Sequence, residues 1–212
     1  MRITLLALLL SAASLLAQKV AYVNMETVFN GYYKTVSENI RFEEERQNFF
    51  TGMEVLQSEF DSTRKEFLDA VNKARNDLLG EDTQREAAQK AEALRARLEQ
   101  KQEEIGRYQQ QARSEISERQ QKTTTRLLQE LQTQLEKYAA EMGYEMVYEV
   151  SGRTLNQVPV LLVYPKDKEI TEAMVKLVNV GHEKEKEEAE AKLEKMRKAI
   201  EEKEKQNAPA AQ

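Results

Sequence analysis

Gly80-Glu81-Asp82-Thr83 (GEDT) interrupts a polar stretch, residues 34–142, whose pattern is otherwise that of one continuous helix. Charged residues, Gln and Ala dominate this stretch, and such a composition is typical of long helices. Gly80 favours the end of one helix, and Thr83 with Glu86 forms the pattern of a capping box that starts the next. The sequence therefore predicts a helical hairpin over residues 34–142, with its tip near residues 80–83.

Apolar residues recur at heptad-like spacing along both predicted helices, and we call this stripe the apolar seam. Lys101 occupies a seam position, and the seam is almost polar from Glu115 to Arg126. A narrow stripe with this spacing is typical of a coiled coil. On the first helix the seam comprises Phe49, Met53, Leu56, Phe60, Phe67, Val71, Ala74 and Leu78. On the second helix it comprises Ala91, Leu94, Leu98, Ile105, Tyr108, Ala112, Ile116, Leu128, Leu131, Leu135, Tyr138 and Met142.

Strand-like segments flank the hairpin on both sides. Asn24 has the position of a helix N-cap, and Pro159 favours an edge strand or a strand start. The sequence thus predicts an α+β fold, in which a small β-rich body from residues 19–33 and 143–181 carries a protruding helical hairpin. The predicted elements of the body are strands at Lys19–Asn24, Tyr144–Val150 and Val158–Tyr164 and a helix at Ile170–Val180.

The two termini have distinct compositions. Residues 1–17 combine Arg2 with an apolar run and small residues, which predicts a secretory signal peptide, with an uncleaved N-terminal anchor as the alternative. The run is shorter than the roughly 20 residues of an ordinary membrane-spanning helix. Residues 182–212 are rich in Glu, Lys and Ala and predict a charged helical tail. A weak heptad stripe runs along this tail at Ala189, Leu193, Met196 and Ile200.

The predicted body is small for an independent core. About three strands and two short helices lie near the lower size limit for a stable domain, and open sheet edges need to be covered. Packing against identical copies meets both needs. We therefore expect a homo-oligomer, and sequence physics leaves a trimer and a dimer open.

Composition gives no sign of a catalytic, metal or cofactor site. The chain has no Cys, and its one His, His182, precedes a charge run and is expected to be solvated. No glycine-rich phosphate loop is present. The net charge of −5 is mixed along the hairpin, so no basic face for nucleic acid is expected. We therefore predict that the protein is not an enzyme and binds no nucleic acid.

Two segments of the body resemble the Skp/OmpH family of periplasmic chaperones. Lys19–Met25 followed by Val28-Phe29 is similar to the opening of that family, and Ser151–Asn156 followed by Val158-Pro159-Val160 is similar to its closing segment. The order of signal, strand, long charged helices, strand pair and short helix also matches. The resemblance covers roughly residues 19–180.

The resemblance implies a jellyfish-shaped homotrimer in the periplasm whose helical arms surround a cavity. The family holds unfolded outer-membrane β-barrel proteins there without ATP until they are inserted. This chain departs from the family in its acidic charge and near-neutral hairpin tip, which argue against contact with lipopolysaccharide or a membrane surface. Its tail extends beyond the usual end of the family, and we expect it either to lengthen the trimer as a coiled coil or to remain solvated.

The residues expected to act fall into two sets. Residues of the hairpin would contact the client: Phe49, Phe50, Met53, Phe60, Phe67, Leu94, Leu98, Ile105 and Tyr108. Residues of the body would build the oligomer: Val20, Tyr22, Val23, Val28, Phe29, Val147, Val160 and Leu162. The seam residues could instead be fully used in packing the two helices together. In that case the alternative function is a structural coiled-coil spacer of the cell envelope.

Overall fold

The computed structural model of the protein describes residues 18–207, so the predicted signal peptide lies outside the described residues. The described part is mostly helical, with one two-stranded sheet. Its elements in chain order are β1 (Val20–Val23), α1 (Met25–Asn30), α2 (Tyr33–Ala74), α3 (Glu81–Met142), β2 (Met146–Glu149), α4 (Thr171–Val178) and α5 (Glu183–Asn207). Within this range, every helix is too short or too polar to cross a bilayer. The elements form two compact units, residues 18–40 with 123–207 and residues 41–122.

The sheet of the first unit pairs segments from opposite ends of the chain. β1 and β2 run parallel, with Val20 opposite Met146 and Val23 opposite Glu149. Backbone hydrogen bonds continue the pairing past both ends of the sheet, from the Glu145 amide to the Lys19 carbonyl at 2.8 Å and from the Val150 amide to the Val23 carbonyl at 2.9 Å. The register of the two chain ends is therefore fixed by backbone contacts.

The core of the first unit lies around this sheet. Its largest fully buried side chains are Leu127, Leu131, Met174, Val23 and Val28. Our assignment of Leu128 to the seam was wrong, because Leu127 is 1% exposed and Leu128 is 40% exposed. The interval from Glu115 to Arg126 is almost entirely polar, so the sequence does not define which face of the helix is apolar there. Leu127 and Leu128 therefore both fit the heptad spacing. Met142, also assigned to the seam, is 43% exposed.

Hydrogen bonds at the cap of α1 connect it to the start of α4. The predicted N-cap is confirmed, since the Asn24 side chain accepts a hydrogen bond from the Thr27 amide at 2.8 Å. The backbone amide of Asn24 in turn donates to Thr171 Oγ1 at 2.9 Å, and that hydroxyl donates to Glu169 at 2.8 Å. Thr171 thus connects the starts of two helices that are distant in sequence.

The predicted strand Val158–Tyr164 does not form in the described chain. Instead, residues 152–160 make a tight turn in which the Val160 amide donates to the Gly152 carbonyl at 2.9 Å. On its second edge, β1 contacts Glu169, and the Ile170 amide donates to the Tyr22 carbonyl at 2.8 Å. Among the described residues, the apolar segment pairs only within this turn, through one antiparallel bridge between Arg153 and Pro159. Pro159 has no amide hydrogen to donate to a longer ladder.

A network of charged groups packs the start of α2 against α3. Glu130 accepts hydrogen bonds from Lys34 at 2.7 Å and from the Tyr32 hydroxyl at 3.2 Å. Arg126 bridges Glu130 and Glu38, each at 3.2 Å. The hydrogen bond to Glu130 raises the pKa of Lys34 to about 12. The start of α2 is therefore held by ionic contacts beside the apolar core.

Glu149 at the end of β2 binds three backbone amides. Its carboxylate accepts from the amides of Met25 at 3.1 Å, Ser151 at 2.8 Å and Gly152 at 2.8 Å, and also from the Ser151 hydroxyl. Burial would raise the pKa of this carboxyl, but the hydrogen bonds outweigh burial and lower the pKa. The charged form of Glu149 therefore ties the start of α1 to the end of β2.

We predict that Glu149→Gln lowers the free energy of unfolding by about 1 kcal/mol at pH 7, since the amides lose a charged acceptor. A lowered pKa gives stability that is present above the ordinary value of a glutamate and is lost as the pH falls through the lowered value. The difference from the unmodified protein should therefore vanish in acid. Urea unfolding at several pH values measures it. Glu145→Gln, an exposed neighbour, is the control, and a difference that persists unchanged in acid would contradict this role.

The tail packs against the start of α2 within the first unit. Neither of our two expectations, a lengthened trimer or a solvated tail, anticipated this contact. Leu193 of α5 is 8% exposed and contacts Val36 and Ile40 at the start of α2, with Ala189 and Met196 at the edge of the cluster. The weak heptad stripe of the tail therefore packs against its own chain.

His182 lies just before α5. The sequence predicted a solvated side chain, but its ring makes two contacts. Its ring stacks on Tyr33 with centroids 3.9 Å apart, and Nδ1 lies 2.9 Å from a Glu185 carboxylate oxygen.

We predict that Leu193→Ala releases α5 from α2, because the substitution removes the centre of a small cluster and costs about 2 kcal/mol. Hydrogen exchange followed by mass spectrometry should show faster exchange in residues 183–200, with β1 and β2 unchanged. Lys195→Ala, on an exposed position of the same helix, is the matched control. Equal exchange in the two variants would show that the cluster does not hold the tail.

The second unit is a helical hairpin, as predicted, but its tip differs in detail. α2 ends at Ala74, and Leu78, assigned to the seam, is 94% exposed in the connection. The capping box at Thr83 was wrong, because α3 already begins at Glu81. The Gln84 side chain instead donates to the carbonyls of Asn76 and Leu79, at 2.8 and 3.2 Å. A side chain three residues inside the helix thus satisfies carbonyls of the turn.

Candidate functional site

An aromatic contact between α2 and α3 is the central feature of the second unit. The rings of Phe49 and Tyr108 stack with centroids 5.5 Å apart and planes 15° apart. Gly52, one turn after Phe49, makes room for this arrangement, since a Cβ there would lie 2.2 Å from the Tyr108 hydroxyl. Glycine in the middle of a helix costs about 1 kcal/mol relative to alanine, so its presence is explained by the approach of the ring.

The stacked rings border a cavity of about 490 Å³, which we call the aromatic cleft. Its apolar surface comes from Phe49, Tyr108, Ala112 and Ile116, and an ion pair between Glu45 and Arg119 lies at its edge. The charges of that pair cancel each other. Glu115 also lines the cleft and adds a negative charge, so the cleft combines an apolar wall with a polar, slightly acidic rim.

A second cavity, of about 260 Å³, also includes Phe49 and Ile116, and we call it the arginine pocket. Phe50 contributes a further apolar wall, and its ring centroid lies 5.6 Å from that of Phe49. Arg46 and Arg113 line the same cavity. Two concavities that share apolar walls thus adjoin one another, and they differ in the charge at their edges.

The predicted client-contact residues are not equally accessible. Phe50 is 56% exposed, whereas Leu94 and Ile105 are buried between the two helices. Leu94 belongs to a cluster with Ala70 and Ala91, against which Phe67 packs. The remaining candidates, Phe49, Met53, Phe60, Leu98 and Tyr108, are half-buried. Among the predicted residues, the structure therefore brings Phe49, Phe50 and Tyr108 together at solvent-facing concavities.

Lys101, which interrupts the seam, forms an ion pair across the hairpin. Its ammonium group lies 2.5 Å from a Glu59 carboxylate oxygen, and its side chain is only 13% exposed. The hydrogen bond from Lys101 lowers the pKa of the Glu59 carboxyl. Thr63, buried nearby along α2, donates its hydroxyl to the Glu59 carbonyl at 2.8 Å. A polar layer therefore replaces an apolar one at this height of the hairpin.

The predicted oligomer residues divide by burial. Val23 and Val28 are fully buried within one chain, so they support the body from inside. Val160 and Leu162 are 66% and 73% exposed and are available to another molecule. Val20, Tyr22, Phe29 and Val147 are half-buried. That any of them contacts a second copy stays a prediction.

Sequence reasoning missed several residues of the site. Gly52 carried a signal, because a glycine inside a long helix calls for a close neighbour. No such signal in the sequence marks Arg46, Arg113 and Arg119, because charged residues of both signs occur along the whole hairpin. Only the packing of α2 against α3 distinguishes these arginines from the others. In residues 18–207, no group of three or more His, Cys, Asp and Glu residues is placed to hold a metal ion.

The described chain thus exposes apolar surface on a long helical hairpin. The family model for outer membrane proteins of the OmpH-like type matches residues 19–178, most of the chain. The chain therefore belongs to the OmpH-like family, which is a family of periplasmic chaperones for outer-membrane proteins and not of enzymes. A search of curated proteins finds no match. The match ends before α5, so the tail lies beyond the family region.

We predict that Gly52→Ala and Gly106→Ala have different effects on stability. A Cβ at Gly106 would meet open space, so Gly106→Ala should raise the free energy of unfolding by about 0.5–1 kcal/mol. Gly52→Ala should lose this gain, because the new methyl group displaces the Tyr108 ring from its stack on Phe49. Urea unfolding followed by circular dichroism compares the two variants. Equal stabilisation by both would contradict the close approach of Tyr108.

Proposed function

We propose that this protein is an ATP-independent holdase that binds unfolded outer-membrane β-barrel proteins in the periplasm and prevents their aggregation. Membership of the OmpH-like family supports the class of client and the compartment. The observation that carries the proposal is the apolar surface around Phe49 that two adjoining concavities leave open, where the exposed Phe50 ring lies beside a half-buried aromatic stack. Residues 1–17, with the composition of a secretory signal, are consistent with export.

Weak contacts suit such a function better than tight ones. A client side chain that covers an exposed ring gains about 1–2 kcal/mol, at roughly 25 cal/mol per Å² of apolar surface. Several such contacts on one client add by avidity, and each can still be released without an energy source. No nucleotide is needed for either step.

We further propose that three copies assemble through the body and place their hairpins around a shared cavity. The exposed segment containing Val160 and Leu162 supports this assembly, because it is apolar and, among the described residues, pairs only through the single bridge between Arg153 and Pro159. The open edge of β2 is a second surface that another copy could cover. The trimer would also supply several aromatic clefts to one client.

A structural spacer is the second candidate function, and one observation favours it. Part of the apolar seam is buried where α2 packs against α3. Ala70, Ala91 and Leu94 form one such buried cluster. A spacer needs this packing along its whole length. The aromatic cleft and the arginine pocket favour the chaperone, because both leave apolar surface open to solvent.

We predict that Phe50→Ala weakens client binding about tenfold and leaves the unfolding temperature nearly unchanged, because the ring is exposed in the free protein. The measurement is light scattering during dilution of a urea-denatured outer-membrane β-barrel protein, without nucleotide, over a range of chaperone concentrations.

Val55→Ala, which shortens another exposed apolar side chain of α2, is the matched control and should behave like the unmodified protein. Failure of the unmodified protein to suppress aggregation of several barrel clients would overturn the holdase. Equal loss in the two variants would place the binding surface elsewhere on the hairpin.

A further inference from the structure

The arginine pocket carries an excess of positive charge. Arg46 is paired with Glu43 on its own helix, at 3.2 Å. Arg113 is exposed, and among residues 18–207 it has no ion-pair partner. The carboxylate of Glu43 therefore compensates only the guanidinium group of Arg46. This local excess is opposite in sign to the chain as a whole, whose net charge is −5.

The aromatic cleft and the arginine pocket differ in the net charge of the residues that line them. In the aromatic cleft, Glu45 neutralises Arg119, and Glu115 adds a negative charge. The arginine pocket contains no carboxylate among its lining residues. Phe49 and Ile116 belong to both concavities, so a single apolar wall has an acidic side and a basic side. A segment bound over this wall would be oriented by its own charge.

We propose that the arginine pocket selects peptide segments in which an aromatic side chain lies next to Asp or Glu. This inference rests on the proposed function as a holdase. The ring enters the concavity between Phe50 and Ile116, and the carboxylate binds the guanidinium groups of Arg113 and Arg46. Arginine suits this role, because its planar guanidinium group can donate two parallel hydrogen bonds to one carboxylate.

The size of the pocket fits this occupant. Its volume of about 260 Å³ lies below the roughly 300–1,000 Å³ of sites for drug-sized ligands, so it accepts a side chain and not an entire cofactor. Ser117 and Gln120 also line it and provide polar groups for the backbone of a bound segment. The overall negative charge of the protein repels acidic chains in general, so attraction is confined to segments that place a carboxylate at this point.

The test uses the full chain and three fluorescein-labelled peptides of twelve residues in a Gly-Ser-Asn background. One contains Phe-Asp, the second Phe-Asn and the third Ala-Asp at the centre. Fluorescence anisotropy at two salt concentrations gives the Kd of each peptide. The Phe-Asp peptide should bind tightest, and its advantage over Phe-Asn should shrink at higher salt.

Arg113→Gln should weaken binding of the Phe-Asp peptide roughly two- to fivefold, as expected for loss of an exposed charge pair, and leave the Phe-Asn peptide unchanged. Arg113→Glu should reverse the preference toward a fourth peptide of the same design with Phe-Lys at the centre. Arg64→Gln is the matched control, since it removes the same charge from an exposed position of α2 outside the pocket. It should leave the order of the peptides intact.

The outcomes separate this inference from the proposed function. Equal weakening of the Phe-Asp and Phe-Asn peptides by Arg113→Gln overturns the charge selection, as does an equal effect of Arg64→Gln. A protein that suppresses barrel aggregation but binds the three peptides equally overturns the selection alone. A protein that does neither overturns the holdase as well. Arg113-dependent binding of anionic lipid vesicles without peptide binding would instead assign the pocket to a membrane surface.

Discussion

The parallel pairing of β1 with β2 is the contact on which the rest of the structure depends. It joins Val20–Val23 to Met146–Glu149. In the sequence, α2 and α3 both lie between these two paired strands. Closing so long a loop costs entropy, and a four-residue ladder alone repays little of that cost. Leu127, Leu131 and Met174 supply the burial that makes the pairing stable, and the carboxylate of Glu149 adds charged hydrogen bonds at one end of it.

Because its two ends are joined in this way, the hairpin does not need to bury every residue of its apolar seam between α2 and α3. Ala70, Ala91 and Leu94 pack closely near the tip, and the ion pair of Lys101 with Glu59 forms a polar layer further along. Beyond that layer, Gly52 admits the Tyr108 ring, and two concavities open around Phe49. Exposed apolar surface is a liability in a soluble protein, and in a chaperone it is the means of binding.

The sequence predicted the elements whose signal is local and repeated. The hairpin, the strands at Val20–Val23 and Met146–Glu149 and the cap at Asn24 follow from heptad spacing, β-branched residues and N-cap chemistry, and these elements are present. Contacts between distant elements were not predictable. Leu127 and Leu128 fit the same spacing, and only packing against Met174 and its neighbours decides between them. The segment Val158–Tyr164 has the composition of a strand but forms only a single bridge, between Arg153 and Pro159. The tail packs against Val36 and Ile40, and no periodicity in the tail reveals that surface. The site divides in the same way: Phe50 and Tyr108 were predicted from the pattern, whereas Arg46 and Arg113 could be recognised only after folding.

The most direct test of the holdase is hydrogen exchange of the full chain with and without a urea-denatured outer-membrane β-barrel client. If the concavities around Phe49 bind the client, exchange should slow in residues 46–50 and 108–116, with smaller changes near the hairpin tip and in the sheet. Slowing confined to the sheet and the tail, or no change in any segment at saturating client, would contradict the account.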